Sequence, residues 1–477
     1  MGTTVFERNR PAASVIAHSL SGTAPSVFWR DDLPAALTPD RPPLAGTIDA
    51  DLAVVGGGYT GLWTALLAAE RMPGARIVVL EAQRVGWAAS GRNGGFCETS
   101  LTHGRENGMS RWPAEMPTLE RLGMENLDEI EGAEARYGMD FHFERTGELS
   151  PAVEPHQVQW LREWADDAGD DVVYLDQDAA RAEVASPTYL AAVWEKRTCG
   201  MLHPARLAAE LARVAEERGV EIFERTRVRR LQTSRTGGVT LACVDGGVRA
   251  TQAVLATNVF PSLLARNRLM TVPVYDYVLM TEPLTAQQRA SIGWQHRQGI
   301  GDLANQFHYY RLTRDDRILF GGYDAVYHFG RKVRAHHEDR PQSFETLASH
   351  FFTTFPQLEG LRFSHRWAGA IDTSTQFTAF FGTARSRRVA YAAGFTGLGV
   401  GSTRFAAEVM LDLLAGVENE RTALRMVRTR PLPFPPEPAA AIGINATRWA
   451  LDRADHREGR RNLLLKTLDA VGLGFDS

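Results

Sequence analysis

A glycine-rich turn between a short apolar strand and a helix constrains the fold of this chain more than any other feature. Residues 51–62 read DLAVVGGGYTGL, and residues 52–55 have the character of a buried strand. Gly56 permits a tight turn, Gly58 lets a pyrophosphate approach the backbone, and Gly61 lets the helix pack closely on the strand. Because a helix N-terminus also offers free N–H groups to an anion, this segment predicts a dinucleotide site.

Glu81 strengthens this prediction. It directly follows the segment RIVVL of residues 76–80, which is apolar after its arginine, and it lies twenty residues after Gly61. A carboxylate at this point accepts hydrogen bonds from ribose hydroxyls and repels a 2′-phosphate, which favours FAD or NAD over NADP. The alternative is a purely structural turn, since the chain contains 43 glycines. The agreement of strand, helix, second strand and acidic residue favours dinucleotide binding.

Charge and cysteine content exclude several classes of partner. The 53 basic and 57 acidic residues nearly balance and show no basic run, so we expect no nucleic acid partner. Cys97, Cys199 and Cys243 lack the spacing of a metal or disulfide motif, which fits the reducing cytoplasm. No uncharged apolar stretch reaches the roughly 18 residues of a membrane helix, so we expect no membrane partner.

The length of 477 residues and the order of periodic segments predict two domains. We expect an α/β nucleotide-binding domain from residues 49–105, 195–265 and 365–430. Residues 106–194 and 266–364 are expected to form a second, α+β domain of helices and strands. Its first elements are predicted as a helix over residues 112–137 and a strand over residues 140–149. Residues 1–48 are interpreted as an extended arm on the nucleotide-binding domain, and residues 431–477 as a C-terminal tail.

A second glycine-rich loop points to a flavin. Gly394, Gly397, Gly399 and Gly401 follow a strand-like segment and precede a predicted helix, so a ligand can approach this backbone closely. The helix N-terminus would stabilise the flavin edge that becomes negative on reduction. The alternative is a loop without a ligand. Since the sequence has one strong dinucleotide motif, electrons are expected from an organic substrate and not from a second nucleotide, which favours FAD over NAD.

In combination these residues resemble the FAD-dependent amine and amino-acid oxidases of the D-amino-acid oxidase superfamily, in particular its gamma-glutamylputrescine oxidase-like branch. The resemblance covers nearly the whole chain and rests on seven motifs: VVGGGYTGL at 54–62, SGRNGG at 90–95, HP at 203–204, ATN at 256–258, YYR at 309–311, LFGG at 319–322 and GFTGLG at 394–399. It implies a Rossmann-like FAD-binding domain built from discontinuous segments, with a mainly antiparallel-sheet substrate domain above it.

The resemblance also implies a reaction. A primary or secondary amine, or an amino acid, is expected to lose hydride to flavin N5 and become an imine. O2 is the expected acceptor and would yield H2O2. Two alternatives remain: a flavin dehydrogenase that passes electrons to a protein or quinone, and a flavin-binding subunit without its own chemistry.

The expected FAD-binding residues come from the motifs and their neighbours. They are Gly56, Gly58, Tyr59, Thr60, Gly61, Glu81, Ala82, Ser90, Arg92, Asn93, Gly94, Gly95, Val228, Thr257, Gly397, Leu398, Gly399, Ser402 and Thr403. By resemblance, the motif at 90–95 lines the pyrophosphate and the flavin ring, Val228 meets the adenine through its backbone, and the loop at 397–403 contacts the pyrimidine side.

The sequence departs from the sarcosine-oxidase-like members of this family in two places. Those members attach flavin to a cysteine, but SHRWAG at residues 364–369 contains none, so noncovalent FAD is expected. A linkage to Cys97 beside the flavin loop is the alternative. They also carry a carboxylate-binding arginine after that loop, whereas this chain reads FCETSL at residues 96–101, which argues against a sarcosine-type substrate.

Candidate catalytic residues are concentrated around residues 308–311. Strand alternation would send two of His308, Tyr309, Tyr310 and Arg311 toward the flavin, and we favour Tyr309 and Arg311. The alternative is that Tyr310 is a core residue and Arg311 forms a structural ion pair.

Further candidates are His103, which could equally be an ordinary loop histidine, and Trp367 with Asp372. Trp367 could form an aromatic wall of the site and Asp372 could bind a cation. The alternative is that Trp367 is a core residue and Asp372 caps a turn. The histidines and acids at residues 336–339 are interpreted as a solvated loop, and no metal site is expected, because adjacent histidines do not converge readily on one ion.

Overall fold

Two large sheets organise the part of the chain that the computed structural model describes, residues 2–167, 169, 171–233, 237–470 and 472–474. The strands of the first sheet are β1 Gly46–Val55, β2 Ile77–Leu80, β8 Glu221–Phe223, β9 Arg230–Thr233, β10 Val239–Ala242, β11 Gly246–Leu255, β18 Phe380–Ala384 and β19 Val389–Ala393. Its order is β18-β19-β11-β1-β2-β8, with β10 and β9 extending antiparallel from β11.

The centre of this first sheet is parallel, as the pattern of short apolar runs predicts. Strands β19, β11, β1, β2 and β8 all run in the same direction. Residues Leu52 to Val55 and Ile77 to Leu80 are buried throughout, since helices cover both faces of a parallel sheet. The prediction of a Rossmann-like α/β domain is confirmed.

The second sheet is mainly antiparallel. Its strands are β4 Glu148–Ala152, β5 Val172–Leu175, β6 Ala191–Glu195, β12 Thr271–Thr281, β13 Gly299–Gly301, β14 His308–Leu312, β15 Ile318–Gly322, β16 Val326–Tyr327 and β17 Phe363–Ser374. Only the pairing of β13 with β4 is parallel among the strand pairs in the described part of this sheet. A short ribbon of β3 Phe96–Glu98 and β7 Cys199–Met201 forms a separate antiparallel pair.

Helices pack around both sheets. They are α1 Val5–Arg8, α2 Ala13–Leu20, α3 Phe28–Asp31, α4 Tyr59–Arg71, α5 Arg105–Arg111, α6 Met116–Tyr137, α7 Gln157–Asp167, α8 Gln177–Glu183, α9 Pro204–Glu217, α10 Ala286–Ile292, α11 Pro341–Thr354, α12 Gly399–Ala415, α13 Glu420–Ala423, α14 Arg425–Arg428, α15 Ala439–Asp455 and α16 Leu463–Ala470. Among the described residues, none of the helices has the length and apolar character needed to cross a bilayer.

The N-terminal segment differs from its prediction as an extended arm on the nucleotide-binding domain. It contains three short helices, and Val5, Phe6 and Ile16 join the core beneath the second sheet. Its second half does contact the nucleotide-binding domain, where the Trp29 Nε1–H donates to the Asn93 carbonyl at 2.9 Å and the Leu44 N–H donates to Thr226 Oγ1 at 2.9 Å. The prediction failed because the prolines of this segment lie between the helices and obscure their short apolar patterns.

The predicted strand over residues 140–149 is also wrong, since β4 starts only at Glu148. Phe141 and Phe143 alternate inward as strand residues would, but their N–H groups donate to Glu134 Oε1 at 2.9 and 3.2 Å. Between them His142 has a φ of 59°, a left-handed conformation that interrupts an extended chain. Alternating burial here therefore comes from a loop that packs on α6.

Two predicted segment boundaries shift. Strand β17 pairs with β12 along its length, so residues 363–374 lie in the second sheet although the prediction assigned residues from 365 onward to the nucleotide-binding domain. The predicted C-terminal tail folds into α15 and α16, and Asp455 accepts hydrogen bonds from the Asn305 and Gln306 N–H groups at 2.9 and 3.1 Å. The C-terminal residues therefore pack against the loop before β14.

Candidate active site

A cavity of about 2560 Å³ is lined by residues of both sheets. Gly56 and Glu81 from the first sheet and Asp276 and Tyr309 from the second all face it, and Thr447 of α15 contributes to its wall. The cavity thus joins the predicted nucleotide site to the predicted substrate domain.

The glycine turn after β1 is packed so closely that side chains are excluded. Gly56 has a φ of 117°, and a Cβ added to it would lie 2.4 Å from the Ala256 carbonyl oxygen. A Cβ on Gly61 would lie 1.9 Å from the Gly56 carbonyl oxygen. Gly56, Gly58, Tyr59 and Thr60 line the cavity, whereas Gly61 lies behind them, where α4 meets the turn. Gly61 therefore supports the site through packing.

Glu81 is held in place by backbone groups. Its Oε2 accepts from the Gly57 N–H at 2.7 Å and its Oε1 from the Gln83 N–H at 2.7 Å. Burial raises the pKa of this carboxyl group. Ala82, Val228 and Thr257 line the same end of the cavity, which is the end predicted to take adenine and ribose.

The loop at residues 90–95 is tied together by its own side chains. The Asn93 amide donates to the Ala89 carbonyl at 3.0 Å and accepts from the Gly95 N–H at 2.9 Å. Ser90 Oγ accepts from the Tyr59 N–H at 2.9 Å, which joins this loop to the glycine turn. Ser90, Arg92, Asn93 and Gly94 line the cavity, while Gly95 packs against Leu202 behind it.

Arg92 is buried and fully engaged. Its guanidinium donates to the carbonyls of Trp87 and Ala368 at 3.0 and 3.1 Å and pairs with Glu338 at 2.5 Å. Glu338 faces the cavity, so the interpretation of residues 336–339 as a solvated loop is wrong for this residue. The sequence contains no local signal for this ion pair, because Arg92 and Glu338 are 246 residues apart.

The second glycine loop reaches the cavity through Gly397, Leu398, Gly399 and Thr403. Ser402, predicted with them, instead donates from Oγ to the Leu398 carbonyl at 2.8 Å and does not line the cavity. This hydrogen bond lies within the first turn of α12, so Ser402 supports the loop without facing the cavity.

The cavity lining fits FAD. Thr403 Oγ1 and Asn258 Oδ1 are buried and lack a hydrogen-bond partner within the described chain, so both are available to a polar ligand. The two glycine loops add backbone surface that no side chain covers. Among described residues, no group of three or more histidine, cysteine, aspartate or glutamate side chains could hold a metal ion.

Strand β14 separates the catalytic candidates. Tyr309 faces the cavity, where its hydroxyl donates to Asp276 and its ring lies 5.7 Å from that of Phe96. His308 points to the opposite side, fully buried, with its nitrogens 2.7 Å from Asp302 and 2.8 Å from His350. His308 is therefore a core residue, which corrects its candidacy as a catalytic group.

Tyr310 also points into the core, and its hydroxyl lies 2.6 Å from that of Tyr189. Arg311 shares the side of Tyr309 but stops short of the cavity. Its Nη1 donates to the Leu202 carbonyl at 2.6 Å, and the Gly95 carbonyl lies 3.4 Å away. Arg311 thus fixes the backbone under the loop at 90–95, and the expectation that it contacts substrate does not fit its position.

His103, Trp367 and Asp372 occupy different environments. His103 lines the cavity, and burial lowers the pKa of its imidazole, which favours the neutral form. Trp367 lies outside the cavity and donates from Nε1 to the Arg92 carbonyl at 2.8 Å, so it supports the loop and forms no wall. Asp372 lines the cavity and accepts from the Gly394 N–H at 2.5 Å, and burial raises its pKa to about 7.

Asp276 is the main site residue that the motifs missed. It is the single acid of the largely apolar β12, and its Oδ1 accepts from the Gly322 N–H at 3.1 Å. Burial raises its pKa to about 6 against the opposing effect of the Tyr309 hydrogen bond. A lone acid in an apolar strand is the sequence signal that could have identified it.

Cys97 does not face the cavity. Alternation along β3 sends Phe96 and Glu98 into the cavity and Cys97 into the hydrophobic core of the first sheet. Burial raises the pKa of its thiol, which disfavours the nucleophilic thiolate. This geometry does not support a flavin linkage at Cys97.

The chain is similar to known flavoproteins over most of its length. The profile of the family described as FAD dependent oxidoreductase matches residues 51–413. Gamma-glutamylputrescine oxidoreductase of Escherichia coli is 32% identical over 384 residues, which cover 78% of this chain and 84% of the relative. A probable oxidoreductase, OrdL, of Haemophilus influenzae is 27% identical over 399 residues, 80% of this chain and 86% of the relative.

Solved structures show the same fold. Glycine oxidase of Geobacillus kaustophilus superimposes with a TM-score of 0.64 at 21% identity, covering 80% of this chain and 99% of that protein. L-proline dehydrogenase of P. horikoshii superimposes with a TM-score of 0.63 at 19% identity, covering 79% and 96% of the two chains.

Proposed function

Because the chain belongs to the family of FAD dependent oxidoreductases, we propose that it oxidises the C–N bond of a primary or secondary amine, or an amino acid, to an imine. The observation that carries this proposal is the single cavity that runs from the glycine turn at Gly56 to the pocket at Tyr309 and Asp276. The relative named gamma-glutamylputrescine oxidoreductase supports an amine as the substrate.

The two glycine loops, Glu81, the loop at 90–95 and Thr403 would bind FAD. When bound, the flavin ring supplies a two-electron acceptor for hydride. We propose that FAD is held without a covalent bond, because Cys97 is buried away from the cavity. Acid precipitation of the purified protein is then expected to leave the flavin in the supernatant.

Tyr309 and Asp276 would orient the substrate. The Tyr309 ring and Phe96 form an aromatic corner, and Asp276 fixes the tyrosine hydroxyl by accepting its hydrogen bond. Orientation matters most in such a site, because an amine nitrogen lone pair supports the developing iminium without a strong base. His103 lies on the cavity wall, where burial lowers the pKa of its imidazole and favours the uncharged form.

We expect O2 to be the electron acceptor. Aerobic turnover of an amine is then expected to release one H2O2 for each amine consumed, measured with a coupled peroxidase dye and an oxygen electrode. Amine consumption that requires an added quinone or protein acceptor, with no peroxide, would instead identify a dehydrogenase.

The location of the protein in the cytoplasm stays a prediction. It rests on the three cysteines, Cys97, Cys199 and Cys243, all of which are free thiols.

A further inference from the structure

Three carboxylates meet on one part of the cavity wall without a cationic partner. Glu98 of β3, Glu148 of β4 and Glu195 of β6 all line the cavity. No side chain of this carboxylate cluster has a hydrogen bond or an ion pair within the described part of the chain. The cluster is separate from Asp276 and Tyr309 of the proposed reaction site.

The sheet register forces two of these carboxylates together. Glu148 and Glu195 are directly opposite in the antiparallel pair of β4 with β6, which brings their Cβ atoms to about 5 Å. Like charges at such a position destabilise a sheet. Burial and the neighbouring carboxylates raise the pKa of Glu98 to about 7 and the pKa of Glu148 well above its ordinary value. The fold therefore maintains an arrangement that opposes its own stability, as functional sites often do.

Ser150 gives an independent indication of a ligand. It lies two residues after Glu148 on the same face of β4 and lines the same cavity. The residue is 8% exposed, and its hydroxyl has no hydrogen-bond partner among the described residues. A hydroxyl on the cavity wall without a protein partner is available to a polar ligand in the cavity.

We propose that Glu98, Glu148 and Glu195 form a subsite for a second cationic group of the amine substrate, an ammonium or guanidinium, which Ser150 also contacts. This inference rests on the proposed amine oxidation. A cation bound among the three groups would favour their ionised forms, and their carboxylate oxygens would then supply the acceptors that it needs, since ammonium and guanidinium carry only donors. The sequence after the flavin loop agrees, because FCETSL at residues 96–101 offers an acid and no arginine for a carboxylate.

The position of the subsite sets the length of the substrate. Glu98 lies two residues from Phe96 on the same face of β3, a separation of about 7 Å. Phe96 in turn packs against Tyr309, with ring centroids 5.7 Å apart, so its ring lies between the carboxylate cluster and the proposed reaction site. A flexible diamine with several methylene groups between its nitrogens fits this spacing, whereas a compact amino acid does not.

Matched amines test the subsite in the holoenzyme. Hexamethylenediamine and n-hexylamine have the same carbon chain and differ in the second ammonium group. We expect a KM for the diamine roughly tenfold below that for the monoamine, as hydrogen bonds to a charged group would give. In the Glu148→Gln/Glu195→Gln double variant this KM ratio is expected to approach one. The KM ratio of the single Glu195→Gln variant is expected to lie between those of the wild type and the double variant. Thermal unfolding verifies that both variants fold.

Glu125→Gln is the control, because this exposed glutamate of α6 loses the same charge away from the cavity and should leave the KM ratio unchanged. Equal KM values for the two amines in the wild type, or an unchanged preference in the double variant, would overturn the subsite. Calorimetric binding of the diamine to the oxidised holoenzyme separates the two proposals. If neither amine is oxidised but the diamine binds and the double variant loses that binding, the subsite stands and the proposed reaction fails.

Discussion

Replacing Gly61 by alanine is expected to yield a protein that binds FAD at least about a hundredfold more weakly than the wild type. The added Cβ would lie 1.9 Å from the Gly56 carbonyl oxygen and 3.2 Å from Val54 Cγ1. Neither contact can be relieved by a side-chain rotation alone, because the closer atom belongs to the backbone of the turn. Overpacking of this kind costs about 3 kcal/mol, and here it displaces the helix N-terminus from the pyrophosphate site.

Gly132→Ala is the matched control for this substitution. Gly132 also lies in a helix, but no atom lies within 4 Å of a Cβ added there, and alanine favours helix by about 1 kcal/mol. The control is expected to retain FAD and to unfold at a slightly higher temperature. Flavin absorbance per polypeptide and thermal unfolding measure both effects. Normal flavin content in Gly61→Ala would show that the turn does not hold the cofactor.

Replacing Tyr309 by phenylalanine is expected to slow flavin reduction by amines about tenfold or more and to move its pH dependence. The hydroxyl of Tyr309 donates to Asp276 and lowers the pKa of that carboxyl group, which burial raises to about 6. Without the donor the pKa of Asp276 rises further, because the charged form loses a hydrogen bond. The acidic limb of the pH profile is then expected to shift to higher pH. Stopped-flow reduction at a series of pH values measures both effects.

Tyr310→Phe provides the comparison. Tyr310 is the next residue of β14, but its hydroxyl contacts Tyr189 in the core and not a group of the cavity. This variant is expected to lose about 1 kcal/mol of stability and to keep the pH profile of the wild type. An unshifted profile in Tyr309→Phe, or equal shifts in both variants, would contradict the role given to Tyr309 and Asp276.

The nucleotide site could be predicted from the sequence because its determinants are local. The turn at Gly56, Gly58 and Gly61 and the acid at Glu81 are set by spacing within one βαβ unit, and the parallel sheet follows from it. Alternation along β14 also separated Tyr309 from Tyr310 correctly. The hydrogen bonds of the Arg311 guanidinium could not be predicted, because the carbonyls that accept them belong to Gly95 and Leu202, which are far from Arg311 in sequence.

The remaining parts of the site depend on contacts between distant segments. Glu338 pairs with Arg92 across the domains, and Glu148 meets Glu195 only through the register of β4 and β6. Local periodicity contains no information on such pairings. The same limit explains the loop at residues 140–147, where a hydrogen bond to Glu134 replaces the sheet ladder that the alternation predicted.

Anaerobic titration of the purified flavoprotein with amines tests the central claim most directly. The visible absorbance of the flavin is expected to disappear when an amine is added. One molecule of imine is expected to form for each flavin reduced. The spectrum is expected to return when air is admitted. A flavin that stays oxidised across primary amines, secondary amines, diamines and amino acids would contradict the account, as would a protein that binds NAD in place of FAD.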